Sequence, residues 1–268
     1  LIRKDEGEDI MVTIKINNKK YEAGEGETVL PILIREGIDI PYLCYHEALS
    51  PYGACRLCMV EVTGGGRKGI TASCTLPVSE GLEIETETPE VVQIRKVLLE
   101  MYLAEAPGSK KIQELAKKFG VVHSRFADFD IEAKGDRCVL CGLCVRVCNE
   151  LLGIGAINYA GRGTNSSINT PWYESSSACI GCGACVYVCP ADAIDITDRG
   201  DERIMETWNR TTLKIKECVD SKQYFATEKA VEYVYGKDSD LPEDLKDLSA
   251  DSRRRKKAAD FVLKPRRK

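Results

Sequence analysis

The sequence predicts an α+β chain in four consecutive segments, 11–88, 89–134, 135–200 and 201–268. Three observations predict it. Strand-like runs surround one short helical run in the first segment, with four cysteines threaded among them. A cysteine-free stretch of helical periodicity follows. A cysteine-dense pattern then occurs twice, 41 residues apart.

The 268 residues suffice for one large or roughly two to three small domains. A formal charge of −4 argues against a nucleic-acid partner. No apolar run reaches the ~18 residues of a membrane helix, so no membrane insertion is expected. The opening "LIRKDEGEDI" has no apolar core of a signal peptide, and residues 1–10 read as a loose extension before Met11. A cytoplasmic protein is therefore expected. In that compartment, 13 cysteines at short, regular gaps read as metal ligands rather than disulfides.

In the first segment, "VTIKI" and "KYEA" flank Asn17-Asn18 and predict a hairpin. Thr28 is placed to cap the helix "VLPILIRE", which Gly37 ends; Pro31 is tolerated in its first turn. Residues 58–62, 69–74 and the run "LEIETE" predict further strands. The cysteines are spaced Cys44-x10-Cys55-x2-Cys58-x15-Cys74. Four thiolates from one loop and a following strand suit a [2Fe–2S] rhombus, two per iron. A small mixed sheet crossed by one helix is a β-grasp ferredoxin arrangement. Gly53 and Ala54 are small enough to let backbone N–H groups reach the sulfurs, which raises a reduction potential. A four-cysteine zinc site is the alternative, against which the long first gap argues. "GGGRKG", residues 64–69, fits a dinucleotide fingerprint in letters only. It precedes a strand, not a helix N-terminus, and reads as a hairpin loop.

The linker opens at Thr88-Pro89, a cap followed by an N1 proline. Val91, Ile94, Leu98, Met101 and Tyr102 recur at helical spacing, Ala106-Pro107-Gly108 ends that helix, and "KKIQELAKKFG" is a second one. His46 and His123, the only histidines, read as surface or packing residues.

The repeated pattern "CVLCGLCVRVCN" and "CIGCGACVYVCP" is C-x2-C-x2-C-x3-C both times. In such runs three cysteines wrap one cubane and the fourth serves the other. One [4Fe–4S] cluster is thus expected on Cys138, Cys141, Cys144 and Cys189, and a second on Cys179, Cys182, Cys185 and Cys148. Gly142 and Gly183 permit tight turns. "GAINYAG" and "DAIDITD" read as the paired short strands of each half, and the long insert "GRGTNSSINTPWYES" as a docking or covering loop.

From "IPYLCYHEALSPYGACRLCMVEV" through "CVLCGLCVRVCNE" to "CIGCGACVYVCPADAI", about residues 11–200, the chain resembles a known group. It is similar to the N-terminal iron–sulfur region of the large peripheral-arm subunit of complex I, to the small diaphorase subunit of NAD-linked hydrogenases, and to the accessory region of [FeFe]-hydrogenases. Family members usually carry a further [4Fe–4S] site in the linker, from one histidine and three cysteines. The linker here holds no cysteine, so the resemblance implies a shortened wire. It further implies a non-catalytic electron-transfer subunit between a flavoprotein that binds NAD(P) and a catalytic subunit, with ferredoxin as an external partner. Hydrogenases, formate dehydrogenases and electron-bifurcating transhydrogenases are the expected hosts, and a free-standing polyferredoxin is the alternative. The chain itself offers no flavin or dinucleotide loop and no nucleophile–base constellation, so no catalytic residue is expected.

Residues 201–268 turn acidic and then strongly basic, which reads as a solvated helix and frayed end or as a docking tail. Some relatives end in a ribbon with paired C-x2-C knuckles around "YF" and a basic helix. The matching positions here are Cys218, Ser221, Ser249 and Ser252. Serine alcohols stay protonated at neutral pH and ligate poorly, so a degenerate, metal-free ribbon is expected.

Overall fold

The computed structural model describes residues 10–126, 135–238 and 240–263, with backbone only for 259–263. Residues 1–9 of the expected extension, linker residues 127–134 and the last five residues of the basic end lie outside the described residues. The chain forms two compact units. One takes Leu1–Arg146, Gly161–Ser167 and Pro190–Ala193; the other takes Val147–Ala160, Ile168–Cys189 and Ile194–Lys268.

The first unit begins with β1 (Met11–Ile16) and β2 (Lys19–Gly24), antiparallel about Asn17 and Asn18. Both asparagines have positive φ, 48° and 65°, the twist that matches a two-residue hairpin to its strands. Next comes α1 (Val29–Arg35), which Glu36 and a left-handed Gly37 end. Thr28 holds the N-cap position, yet its side chain makes no cap hydrogen bond. Thr28 instead bridges Pro77, and the Val29 N–H donates to the Leu76 carbonyl. The segment after Cys74 thus does the capping that sequence assigns to a hydroxyl.

β3 (Met59–Gly64), β4 (Gly69–Ala72) and β5 (Glu83–Glu85) complete a sheet of order β2-β1-β5-β3-β4. β5 runs parallel to β1 and antiparallel to β3. Residues 65–68 are a hairpin loop between strands, as expected of the "GGGRKG" stretch. Val29, Leu30, Ile32 and Leu33 of α1 bury against Val12, Ile14, Ile16, Val60 and Ile84 of the sheet. Each such side chain contributes about 1.5–3 kcal/mol by leaving water.

α2 (Pro89–Glu105) starts as expected, with the Thr88 hydroxyl accepting from the Val91 N–H at 3.4 Å. Its buried face differs from expectation. Val91, Arg95, Leu99 and Ala104 are buried, whereas Met101 is 41% exposed. The stripe is turned toward Arg95 because that side chain has the Leu57 and Met59 carbonyls to bind. α3 (Lys110–Lys118) packs on α2 through Ile112, Leu115 and Ala116.

The cysteine repeats carry two short helices, α4 (Leu143–Arg146) in the first unit and α5 (Ala184–Tyr187) in the second. Gly142 and Gly183 precede them at φ 76° and 78°, the left-handed turns the sequence calls for. A wider π turn, Val147–Leu151, comes after α4 and carries Cys148.

β6 (Asn158–Ala160) pairs with β7 (Ser167–Asn169). β8 (Ile196–Arg199) joins β9 (Glu202–Met205), β10 (Thr211–Glu217) and β11 (Tyr224–Thr227) in the order β11-β10-β9-β8. The short strands of the two halves therefore each pair with a later strand. The β8–β9 turn also puts the boundary expected at 200/201 inside a hairpin. The C-terminal segment is packed as far as Ser252, while residues 254–258 of its basic helix are exposed, as a solvated helix predicts. The sheet leads into α6 (Glu228–Lys237), capped by the Thr227 hydroxyl at 3.2 Å from the Ala230 N–H, and then α7 (Ala250–Leu263). Val231, Leu245 and Leu248 are buried here, so this segment has apolar packing of its own.

Candidate metal centres

The loop after α1 carries Cys44, Cys55 and Cys58, and all three are at most 3% exposed. Cys74 is equally buried, on a 3-10 turn (Ser73–Thr75) rather than on the strand expected over 69–74. Ser73 explains the difference. Its N–H donates to the Cys58 carbonyl at 3.0 Å as the last rung of the β3–β4 register, and its hydroxyl donates to the same carbonyl at 2.7 Å, so the chain turns at Cys74.

The four sulfurs act on one another. Hydrogen bonds from the Cys55 and Cys74 thiols draw the Cys44 pKa down to about 2. The Cys74 thiol brings Cys58 to about 6. Cys55 and Cys74, the donors, are pushed up by those bonds and by burial. Backbone donors add to this, with the Cys55 N–H 3.3 Å from the Cys44 sulfur and those of Ala54 and Leu57 directed at Cys44 and Cys55. Four buried sulfurs close enough to share protons, with Cys44 and Cys58 held toward the thiolate and amide donors around them, fit a [2Fe–2S] centre. Among the described residues no three Cys, His, Asp or Glu side chains group as a single ion requires, so metal content decides between iron and zinc.

In the second unit, Cys148, Cys179, Cys182 and Cys185 line one cavity. Its other walls include Ile154, Ile157, Met205 and Trp208. Cys148 thus lines the same cavity as three cysteines of the other repeat. Burial pushes the Cys179 and Cys185 thiols up, Cys185 to about 11. The Gly181 N–H lies 3.4 Å from the Cys179 sulfur. The Trp208 indole N–H is buried and directed at the Cys185 sulfur, short of full hydrogen-bond geometry. A cavity with four thiols, apolar walls and one indole donor aimed at a cysteine sulfur fits a [4Fe–4S] cluster, whose sulfurs would accept that N–H. Trp208→Phe is expected to leave the iron content unchanged and lower the potential of one cubane, read by a redox titration followed by EPR; an unchanged potential sinks this role.

Cys138, Cys141 and Cys144 belong to the first unit and Cys189 to the second. Arg146 donates to the Ser50 carbonyl and lies 4.9 Å from the centre of the Tyr52 ring, which ties α4 to the Cys44–Cys55 loop. Burial raises the Tyr102 phenol, with Cys55, Glu105, Cys44 and Cys141 adding to it, so Tyr102 feels sulfurs of both groups. Of the histidines, His46 accepts the Ala48 N–H at 3.2 Å and His123 is exposed.

Cys218, Ser221, Ser249 and Ser252 also meet. The N–H groups of Ser221 and Ser249 reach the Cys218 sulfur at 3.5 and 3.2 Å. Cys218 donates to the Ser252 hydroxyl at 3.5 Å, and the Ser249 hydroxyl donates to it at 3.3 Å. Phe225 packs against Cys218, Leu245 and Leu248 beneath them.

Sequence reasoning passed over Arg95, Tyr102 as a donor, and Trp208. A signal existed for Arg95: it stands four residues from both Val91 and Leu99, on the buried stripe.

Fold and sites define an iron–sulfur protein. Residues 9–89 match the "2Fe-2S iron-sulfur cluster binding domain" family model, and residues 173–195 match the "4Fe-4S binding domain". The chain therefore has a [2Fe–2S] ferredoxin-like sheet domain and at least one [4Fe–4S] domain. The NADH-ubiquinone oxidoreductase 75 kDa subunit of Reclinomonas americana is 31% identical over 204 residues, 69% of this chain and 29% of that protein. NADP-reducing hydrogenase subunit HndD of Solidesulfovibrio fructosivorans is 33% identical over 212 residues, 69% of this chain and 36% of that protein. A chain in the crystal structure of NAD+-reducing [NiFe]-hydrogenase in the H2-reduced state matches with a TM-score of 0.52 and 33% identity. That match covers 60% of this chain and 75% of the other. This chain belongs to the family of iron–sulfur electron-transfer regions shared by these oxidoreductase and hydrogenase subunits. It spans about a third of the length of the two curated relatives. Among the described residues no helix is long and apolar enough to cross a membrane.

Proposed function

We propose that this chain relays single electrons between a flavin- and NAD(P)-binding subunit and a catalytic oxidoreductase subunit or ferredoxin. The host is a cytoplasmic complex: a hydrogenase, a formate dehydrogenase or an electron-bifurcating transhydrogenase. The observation that carries the reading is the convergence of Cys148 with Cys179, Cys182 and Cys185 around one cavity, together with a separate buried set of four in the first unit. In this reading Cys44, Cys55, Cys58 and Cys74 hold the two-iron centre. Cys148, Cys179, Cys182 and Cys185 hold one cubane, and Cys138, Cys141, Cys144 and Cys189 the other. Such clusters, when bound, take up and release one electron at a time. The chain's own residues bury the sulfurs, aim amides at them and keep water away. The divisions at 88 and 134 remain ours for these roles, with 89–134 joining the centres without a cluster of its own, while the division at 200 gives way to the β8–β9 hairpin.

The relatives are named for NADH, NADP and NAD+ chemistry. A two-electron carrier needs a cofactor that splits electrons into single steps, which the flavin partner would supply. Gentle anaerobic purification of the native protein tests this. A co-purifying flavoprotein with bound flavin is expected, together with about ten irons per chain. A chain that emerges alone with full iron would make it a free carrier. Zinc in place of iron would overturn the cluster reading itself.

A further inference from the structure

We propose that Arg95, on α2 of the linker, is the positioning residue and fixed counter-cation of the two-iron centre, holding its loop and raising its reduction potential. This rests on the reading that Cys44, Cys55, Cys58 and Cys74 hold that centre. Arg95 is 1% exposed, the largest fully buried side chain among the described residues. Its Nε–H donates to the Leu57 carbonyl at 3.2 Å and its Nη2–H to the Met59 carbonyl at 2.7 Å. Those carbonyls flank Cys58. Two helical turns further on, the Tyr102 hydroxyl donates to the Cys55 carbonyl at 3.1 Å. One face of α2 therefore holds the carbonyls of residues 55, 57 and 59. With these oxygens turned to the helix, the loop is left free to offer its N–H groups to sulfur, as the Leu57 N–H does to Cys55.

Charge matters as much as position. A buried guanidinium needs a partner, because an isolated charge in an apolar interior costs several kcal/mol. Arg95 has two neutral carbonyls and, 5.9 Å from its Cζ, the Phe119 ring. No carboxylate stands at ion-pair distance from it among the described residues. Burial opposes its charge, while Glu87, Cys58 and Asp39 favour it from farther off. Four thiolates around two irons and two sulfides carry net negative charge, and reduction adds one more. The missing anion is thus the centre itself. A fixed cation beside it stabilises the reduced form more than the oxidised one.

The experiment is a redox titration of the full chain followed by EPR of the two-iron signal, with iron content and thermal melting measured alongside. Arg95→Met keeps the length and removes the charge; Arg95→Lys keeps the charge and loses the planar fork. Arg95→Met is expected to lower the reduction equilibrium constant at least tenfold, about 59 mV for one electron. Arg95→Lys should recover most of that shift even if it melts lower. An unchanged midpoint in iron-loaded Arg95→Met overturns the proposal, as do equal shifts in both variants. If Arg95→Met does not take up the two irons, loading of Arg95→Lys alone supports the charge. Failure of both reduces the side chain to a hydrogen-bonded strut and overturns the electrostatic role. Absence of the two-iron signal from the unaltered chain would instead reject the cluster reading.

Discussion

Cys148→Ser is expected to cut the iron of the purified chain from about ten to about six per molecule and to remove one cubane signal. The two-iron signal should survive. The reason is spatial. In sequence Cys148 closes the run that begins at Cys138, and a local metal knuckle would take its ligands from that run alone. In the fold it faces the cavity of Cys179, Cys182 and Cys185. Serine keeps the size of the side chain but not a thiolate at neutral pH, so a cubane loses one of four corners. Cys189→Ser should cost the other cubane, by the same exchange. Cys218→Ser is the control. Cys218 is fully buried and bonded to serine residues and backbone N–H groups, with every other cysteine assigned elsewhere. Its substitution should leave the iron count unchanged. Iron assay and low-temperature EPR check all three. Full iron in Cys148→Ser, or a loss in Cys218→Ser, would break the assignment.

What the sequence made legible was local. Asn17-Asn18, Thr88-Pro89, Gly142 and Gly183 declare their turns and caps because only neighbouring atoms decide them. Cysteine spacing declares groups, since three of a cluster's four ligands come from one loop. Cys218, Ser221, Ser249 and Ser252 were legible only through the resemblance to relatives that end in a ribbon, which sets them as two x2 pairs. Residues whose partners lie far along the chain were not. Thr28 lost its capping role to Leu76 and Pro77, on a segment more than forty residues away. The helical stripe of α2 turned toward Arg95 because carbonyls of residues 57 and 59 wait there. The boundary at 200/201 followed a change of composition, whereas hydrogen bonding between β8 and β9 ignores composition. Trp208 is one of two tryptophans, and nothing next to it in sequence says that it reaches a cavity lined by Cys148.

Gly65→Ala is expected to destabilise the first unit by about 3 kcal/mol or more, whereas Gly66→Ala should shift stability by only about 0.5 kcal/mol. Both lie in "GGGRKG", whose letters suggest a phosphate loop. The two glycines meet different surroundings. Gly65 has φ 67°, and a Cβ there would stand 1.9 Å from the Gly81 carbonyl oxygen and 2.6 Å from the Leu82 Cα. Left-handed backbone alone costs a residue with a Cβ roughly 1–2 kcal/mol. The clash adds to that, because both contacts are backbone and no side chain can swing aside. Gly81 and Leu82 lead directly into β5, the middle strand, paired with β1 on one side and β3 on the other. Moving them strains both ladders. At Gly66 a Cβ would find Leu82 Cδ1 at 3.5 Å, an ordinary contact, with no left-handed φ to oppose it. Urea or thermal melts of the two variants should therefore separate widely, and Gly65→Ala should retain less of the two-iron signal. Equal melts would show that close packing does not fix this glycine. A dinucleotide that raised the melting temperature of the unaltered chain, but not of Gly66→Ala, would return the loop to phosphate binding. The geometry instead gives Gly65 one task, to let the hairpin loop lie against the entrance of the central strand.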